Sequence, residues 1–85
     1  MTYYLVKETS KSRLNNRKVT AWFGKEGCLI AMQNEYEDYT PYSVPWSVAN
    51  HGYKRECDAK RSYIYKNTEN SPHFLRSVEI VEIEV

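Results

Sequence analysis

The segment from His51 to Ser62, HGYKRECDAKRS, holds the side chains best suited to reactive chemistry. It contains a histidine and a cysteine, which by type are a base and a nucleophile. On one helix, residues six positions apart point about 120° away from each other, so His51 cannot activate Cys57 directly. Cys57 also falls in an apolar stripe, where a free cysteine behaves as a small hydrophobic residue. We therefore expect a buried, structural Cys57 and an exposed His51.

Metal, cofactor and phosphate-loop motifs are missing from the rest of the sequence. The two cysteines and two histidines form no C-x-x-C or H-x₃-H pair of the kind that zinc sites use. The three glycines stand apart at positions 24, 27 and 52, so there is no glycine-rich phosphate loop. The sequence therefore predicts a protein that is not an enzyme, with no catalytic residues, no cofactor and no metal site.

Length, composition and charge indicate one compact domain over residues 1–85. The hydrophobic content of 41% and the charged content of 27% are typical of a folded chain with a thin core. No apolar run approaches the roughly 18 residues of a membrane span, and the two cysteines match no disulfide scaffold. We therefore expect a cytoplasmic protein. A net charge of +1 argues against simple attraction to polyanions and against mimicry of nucleic acid by the whole molecule.

Alternating apolar residues predict strands at residues 2–8, 17–23, 28–33 and 77–85. Asn15 and Asn16 suit the positive φ of a tight turn between the first two strands. Val78 and Ile80 are out of phase with the alternation that follows them, which predicts a β-bulge or a sharp twist near residues 80 and 81. We expect the last strand to pair inside the sheet beside residues 2–8, because an open edge invites pairing with other chains.

After Pro45 the apolar residues recur at helical spacing. The stripe consists of Trp46, Ala49, Tyr53, Cys57 and Ile64. Gly52 is unfavourable inside a helix, so a broken helix stays open as an alternative, as does some strand character near residues 62–66. The sequence thus predicts an α+β fold: a small single domain in which an antiparallel sheet, made of three N-terminal strands and the C-terminal strand, carries one helix on one face.

The segment between the third strand and the helix, NEYEDYTPYSVP, mixes tyrosines with carboxylates and prolines. Tyrosine and tryptophan offer a large contact area at low entropic cost and are enriched in protein interfaces. We expect the rings to contact a protein partner while the carboxylates engage its lysines and arginines; the alternative is that the rings fill a core with few leucines, which we expect for Trp46. The predicted partner-binding residues are Glu35, Tyr36, Glu37, Asp38, Tyr39 and Tyr42.

Clusters of basic residues beside aromatic residues give an alternative function, the binding of RNA or DNA. Such side chains can hold phosphates and stack on bases, although no RNA-binding motif is present and the net charge is near neutral. The alternative nucleic-acid-binding residues are Arg13, Arg17, Lys18, Lys54, Arg55 and Arg61.

In its short length, initial methionine, abundant tyrosine and clustered charge, seen in NEYEDYTPY and GYKRECDAKR, the chain resembles the small stand-alone proteins of bacteriophages and mobile elements. Anti-CRISPR and other anti-defence inhibitors belong to that group. The resemblance implies an inhibitor that blocks a host nuclease or another nucleic-acid-bound complex stoichiometrically, as a monomer or homodimer in the host cytoplasm. Many such inhibitors are strongly acidic, and this chain is not.

Overall fold

The computed structural model describes the backbone of residues 1–66 and 74–85, and the side chains of residues 1–62 and 75–85. Short 3₁₀ turns lie at Lys25–Gly27 and Pro41–Ser43. The remaining elements, in chain order, are strand β1 (Thr2–Ser12), strand β2 (Lys18–Phe23), strand β3 (Leu29–Gln33), helix α1 (Pro45–His51), helix α2 (Glu56–Lys66) and strand β4 (Phe74–Glu84).

The strands form one antiparallel sheet in the order β3-β2-β1-β4. Strand β4 pairs with β1 along its whole length, from Thr2 opposite Glu84 to Ser12 opposite Phe74. The expected position of the C-terminal strand, beside the N-terminal one, is therefore confirmed. Asn16 adopts the expected positive φ, of 56°, in the turn between β1 and β2. The α+β class and the four-stranded antiparallel sheet are both as predicted.

The predicted bulge near residues 80 and 81 is wrong. The register is continuous there, with Leu5 opposite Val81 and Val6 opposite Ile80. The apolar residues of β4 are out of phase because both faces of the sheet are packed against other elements. Residues that point to opposite faces can therefore both be apolar. The irregularity in the sheet lies elsewhere, between Trp22 and Phe23 where β2 pairs with β3.

The first face of the sheet carries the main apolar core. Because Tyr3 pairs with Ile83 and Leu5 with Val81, these side chains lie on the same face. Val48 of α1 is fully buried against them, and Val44 just before α1 packs at the margin. The buried cluster is Tyr3, Leu5, Trp22, Ile30, Ala31, Val48 and Ile83.

The second face is covered by α2, which contacts β1 and β4. Ala59 of this helix is fully buried, and Val6 and Val78 are buried on the sheet outside the first cluster. Val6 and Val78 share a face because Val78 stands opposite Glu8, two residues from Val6. Two helices on opposite faces therefore replace the single helix on one face that the sequence predicted.

The helix is interrupted at Gly52, where α1 ends. A Cβ atom at this position would lie 2.5 Å from the carbonyl oxygen of Val48 and 3.0 Å from Cβ of Tyr3, closer than side chains approach. Tyr53 then forms an antiparallel bridge with Tyr4 before α2 begins at Glu56. Because the break shifts the helical phase, the predicted stripe does not form; the burial of Ile64 lies outside the described side chains.

Candidate protein interface

The segment from Asn34 to Val44 begins with a tight turn, after which the chain runs back beside the end of β3. The side-chain oxygen Oδ1 of Asn34 accepts hydrogen bonds from the backbone N–H groups of Tyr36, at 2.7 Å, and Glu37, at 2.8 Å. The Asn34 N–H donates to the Glu37 carbonyl at 2.8 Å. An asparagine in this arrangement closes a turn with its own side chain. Tyr36 is thereby presented at the tip of a fixed turn.

The return of the segment is fixed by side-chain and backbone contacts. Asp38 forms an isolated antiparallel β-bridge with Gln33, and the Gln33 side-chain amide donates a hydrogen bond to the Asp38 carboxylate at 2.6 Å. The Tyr39 N–H donates to the Met32 carbonyl at 3.2 Å. Pro41, at the start of the second 3₁₀ turn, is fully buried and attaches the segment to the body of the protein. The loop predicted from the sequence therefore has a defined structure of its own.

Four large aromatic side chains of this region are exposed rather than packed into the core. The exposed fraction is 83% for Tyr36, 56% for Tyr39, 69% for Tyr42 and 64% for Trp46. We call these four residues the aromatic surface. The expectation that Trp46 fills the core is wrong, because Val48 occupies the buried side of α1 and a helical residue two positions earlier points about 160° away.

Exposed carboxylates flank Tyr36 and Tyr39 along the chain. Glu35, Glu37 and Asp38 are all exposed. Glu35 lies 3.6 Å from the Arg17 guanidinium, which brings the basic turn after β1 beside the acidic turn after β3. The sequence assigned these two segments to different candidate sites, and the sheet places them together.

A groove of about 420 Å³ lies beside Tyr42 on the first face of the sheet. Trp22 and Val81 line it, as does Lys7, whose Nζ atom stands 6.0 Å from the centroid of the Trp22 ring. The same ammonium group lies 3.5 Å from the Glu79 carboxylate. Sequence reasoning missed this groove, because its walls come from β1, β2, β4 and the 3₁₀ turn and meet only in the folded sheet.

The predicted nucleic-acid-binding residues do not form one continuous face. Arg13, Arg17 and Lys18 lie at the turn between β1 and β2, whereas Lys54 and Arg55 lie in the break between the helices. Lys18 stands opposite Lys11, and Tyr53 stands opposite Tyr4. Lys11 and Tyr4 are seven positions apart on β1, a distance of roughly 23 Å at about 3.3 Å per residue. Arg61 is exposed on α2.

Arg55 forms a two-pronged ion pair with Asp58 at the start of α2. Its Nε and Nη2 atoms donate to the two carboxylate oxygens at 3.0 Å and 3.1 Å. The hydrogen bond from Arg55 lowers the pKa of Asp58, and the same bond raises the pKa of Arg55. On the same helix, Lys60 and Glu56 form an i,i+4 ion pair at 3.1 Å.

The candidate reactive pair is not buried. His51 is exposed at the end of α1, and Cys57 is exposed near the start of α2. The predicted burial of Cys57 is wrong, because Ala59, about 160° round the helix from it, takes the buried position. Among the described residues, no three His, Cys, Asp or Glu side chains are grouped as a metal site.

Comparison with protein families, with curated proteins and with solved structures finds no match for this chain. No helix within the described ranges is long and apolar enough to cross a membrane.

Proposed function

We propose that this chain is a non-enzymatic protein-binding module that contacts its partner through the aromatic surface. The observation that carries the proposal is the exposure of Tyr36, Tyr39, Tyr42 and Trp46, each by more than half. The first three lie on the segment that hydrogen bonds and the buried Pro41 hold in place, and Trp46 lies on α1. Exposed aromatic residues on a pre-ordered loop bind with a small loss of conformational entropy. The buried Pro41 and the Asn34 turn supply that order.

The charge around the rings supports a basic partner surface. Glu37 is exposed and forms no ion pair with any other described residue, so its carboxylate is available to a lysine or arginine of the partner. Asp38 is exposed too, with one carboxylate oxygen held by Gln33. Proteins that handle nucleic acids carry basic surfaces. We therefore propose a bacterial nucleic-acid-handling or defence enzyme as the partner, blocked stoichiometrically in the manner of the phage proteins that the sequence resembles.

Affinity capture from a bacterial lysate followed by calorimetry with the purified partner tests this proposal. The triple variant Tyr36→Ala, Glu37→Ala, Tyr39→Ala should bind at least about tenfold more weakly, a loss of about 1.4 kcal/mol. Its thermal transition should stay close to that of the unchanged protein, since none of the three side chains is buried. The matched control is Leu14→Ala, which removes a side chain that is 78% exposed in the turn between β1 and β2.

Three outcomes would contradict the proposal. Partner affinity unchanged in the triple variant would remove the aromatic surface from the interface. An equal loss in Leu14→Ala would show that the effect is not local. Tight binding to bare RNA or DNA with a steep salt dependence, and no protein partner, would favour the alternative of a nucleic-acid-binding domain.

A further inference from the structure

A second concavity, of about 560 Å³, lies at the end of the sheet away from the turn that holds Tyr36. It is bounded by the 3₁₀ turn after β2 and by the break between α1 and α2. Gly24 allows the two segments to approach, because a Cβ atom there would collide with the carbonyl group of His51. The lining residues are Lys25, Tyr53, Lys54, Arg55 and Asp58.

The charge of this concavity is positive. Three cationic side chains line it against one carboxylate, that of Asp58, which Arg55 already binds at 3.0 Å. Lys25 and Lys54 are exposed and form no ion pair with any described residue. Arg55 keeps donors to spare, because a guanidinium has five N–H groups and Asp58 takes two of them. One concavity is therefore lined by two lysines that form no ion pair with a described residue and by an arginine held by Asp58.

The backbone of the break that carries Lys54 and Arg55 is fixed by hydrogen bonds and close packing. Tyr53 and Tyr4 exchange two backbone hydrogen bonds, of 2.8 Å and 3.0 Å. Gly52 packs against Val48 and Tyr3 without room for a side chain. A site ordered before binding loses less conformational entropy when a ligand arrives.

We propose that this concavity binds a nucleotide unit, with its phosphate between Lys25 and Lys54 and its base against Tyr53. Lysine binds phosphate as a point charge, and an aromatic side chain offers a stacking surface to any base. The volume lies within the roughly 300–1,000 Å³ of ligand pockets. The unit is either a free nucleotide or one link of a single strand. The site lies at the opposite end of the sheet from Arg17 and Glu35, so it is separate from the turn that presents Tyr36.

Nuclear magnetic resonance titration of the ¹⁵N-labelled chain tests the proposal. Adenosine monophosphate and a short single-stranded DNA should each shift the amides of Lys25 and Lys54 saturably. The double variant Lys25→Gln, Lys54→Gln should lower the affinity at least about tenfold, with a reduced salt slope. The matched control, Arg13→Gln with Lys18→Gln, removes the same charge at the other end of the sheet and should change affinity by less than about twofold. Thermal melts confirm that each variant is folded.

The titrations distinguish a free nucleotide from a link of a single strand. Tighter binding of the strand than of the mononucleotide identifies nucleic acid, and equal binding identifies a free nucleotide. Tyr53→Leu should weaken both ligands and leave inorganic pyrophosphate unaffected. The proposal is overturned by an absence of saturable shifts at Lys25 and Lys54, by equal losses in the two double variants, or by equal binding of adenosine monophosphate to the unchanged protein and to Tyr53→Leu.

Discussion

Tyr53 pairs with Tyr4 on the side of β1 that β2 occupies further along the strand. The other side of Tyr4 is taken by Glu82 of β4, and β2 pairs with β1 only from Val6 onward. The chain therefore passes the end of the sheet in the space that β2 leaves free. This crossing carries it from α1 on the first face to α2 on the second.

Replacing Gly52 by alanine should destabilise the protein by about 1–3 kcal/mol, the usual cost of forcing an extra methyl group into a packed site. Its φ of −67° suits any residue, so the cost comes from the contacts with Val48 and Tyr3. Urea denaturation measures the loss. The control Asn50→Ala, at an exposed position of α1, should stay within about 0.5 kcal/mol. A stable Gly52→Ala protein would mean that the crossing is loosely packed.

Asn34→Ala should weaken partner binding without removing any side chain of the aromatic surface. The variant loses the acceptor for the N–H groups of Tyr36 and Glu37, and each such bond contributes about 0.5–1.5 kcal/mol. Calorimetry with the purified partner provides the measurement. Asn34→Asp keeps an acceptor oxygen and should retain most of the affinity. Equal partner affinity in Asn34→Ala and the unchanged protein would show that the order of this turn does not contribute to recognition.

The strands could be predicted from the sequence because alternation is a local property of the chain. The pairing of the last strand with the first was also predicted, but the argument from an unpaired edge does not explain it, because β4 is itself the end strand of the order β3-β2-β1-β4. The helix was harder. Gly52 signalled a break, but the crossing from one face to the other depends on the pairing of Tyr53 with Tyr4, which no local pattern encodes. The wrong burial predictions for Trp46 and Cys57 share this cause, because both assumed one unbroken helix with a single apolar face.

The candidate sites were predictable to different degrees. The composition of the segment after β3 marked Tyr36 and Tyr39 as candidates, and both are exposed. The basic residues could not be grouped correctly, because Lys25 and Lys54 line one concavity only in the folded chain, where Gly24 lies against His51. Lys25 was absent from the predicted set for that reason.

Glu84→Gln should lower the melting temperature at neutral pH and have little effect in acid. Thr2 donates a hydrogen bond of 2.7 Å to the Glu84 carboxylate, and the terminal ammonium lies 3.5 Å from it. The hydrogen bond first, and then the ammonium charge, lower the pKa of Glu84 in the folded protein. Because the pKa of Glu84 is lower in the folded protein than in the unfolded chain, the ionised carboxylate stabilises the fold at any pH above the unfolded pKa. This stabilisation is lost as the pH falls through the folded pKa.

Melting curves of both proteins between about pH 7 and pH 3 measure this difference, which should close toward the acid end. Glu82→Gln, at an exposed position two residues earlier on β4, serves as the control and should change the melting temperature little, as surface substitutions usually do. A difference for Glu84→Gln that is constant across the range would assign the effect to packing instead of charge.

Cys57 should react with iodoacetamide in the native protein about as fast as after denaturation, because its side chain is exposed near the start of α2. Cys28 is half-buried and should react more slowly. Mass spectrometry of Cys28→Ser and Cys57→Ser resolves the two thiols. Cys57→Ala should cost less than about 0.5 kcal/mol, as surface substitutions do, and not the 2 kcal/mol or so that an emptied core site costs. A native Cys57 that resists alkylation would show that α2 is rotated and that the single apolar stripe is correct after all.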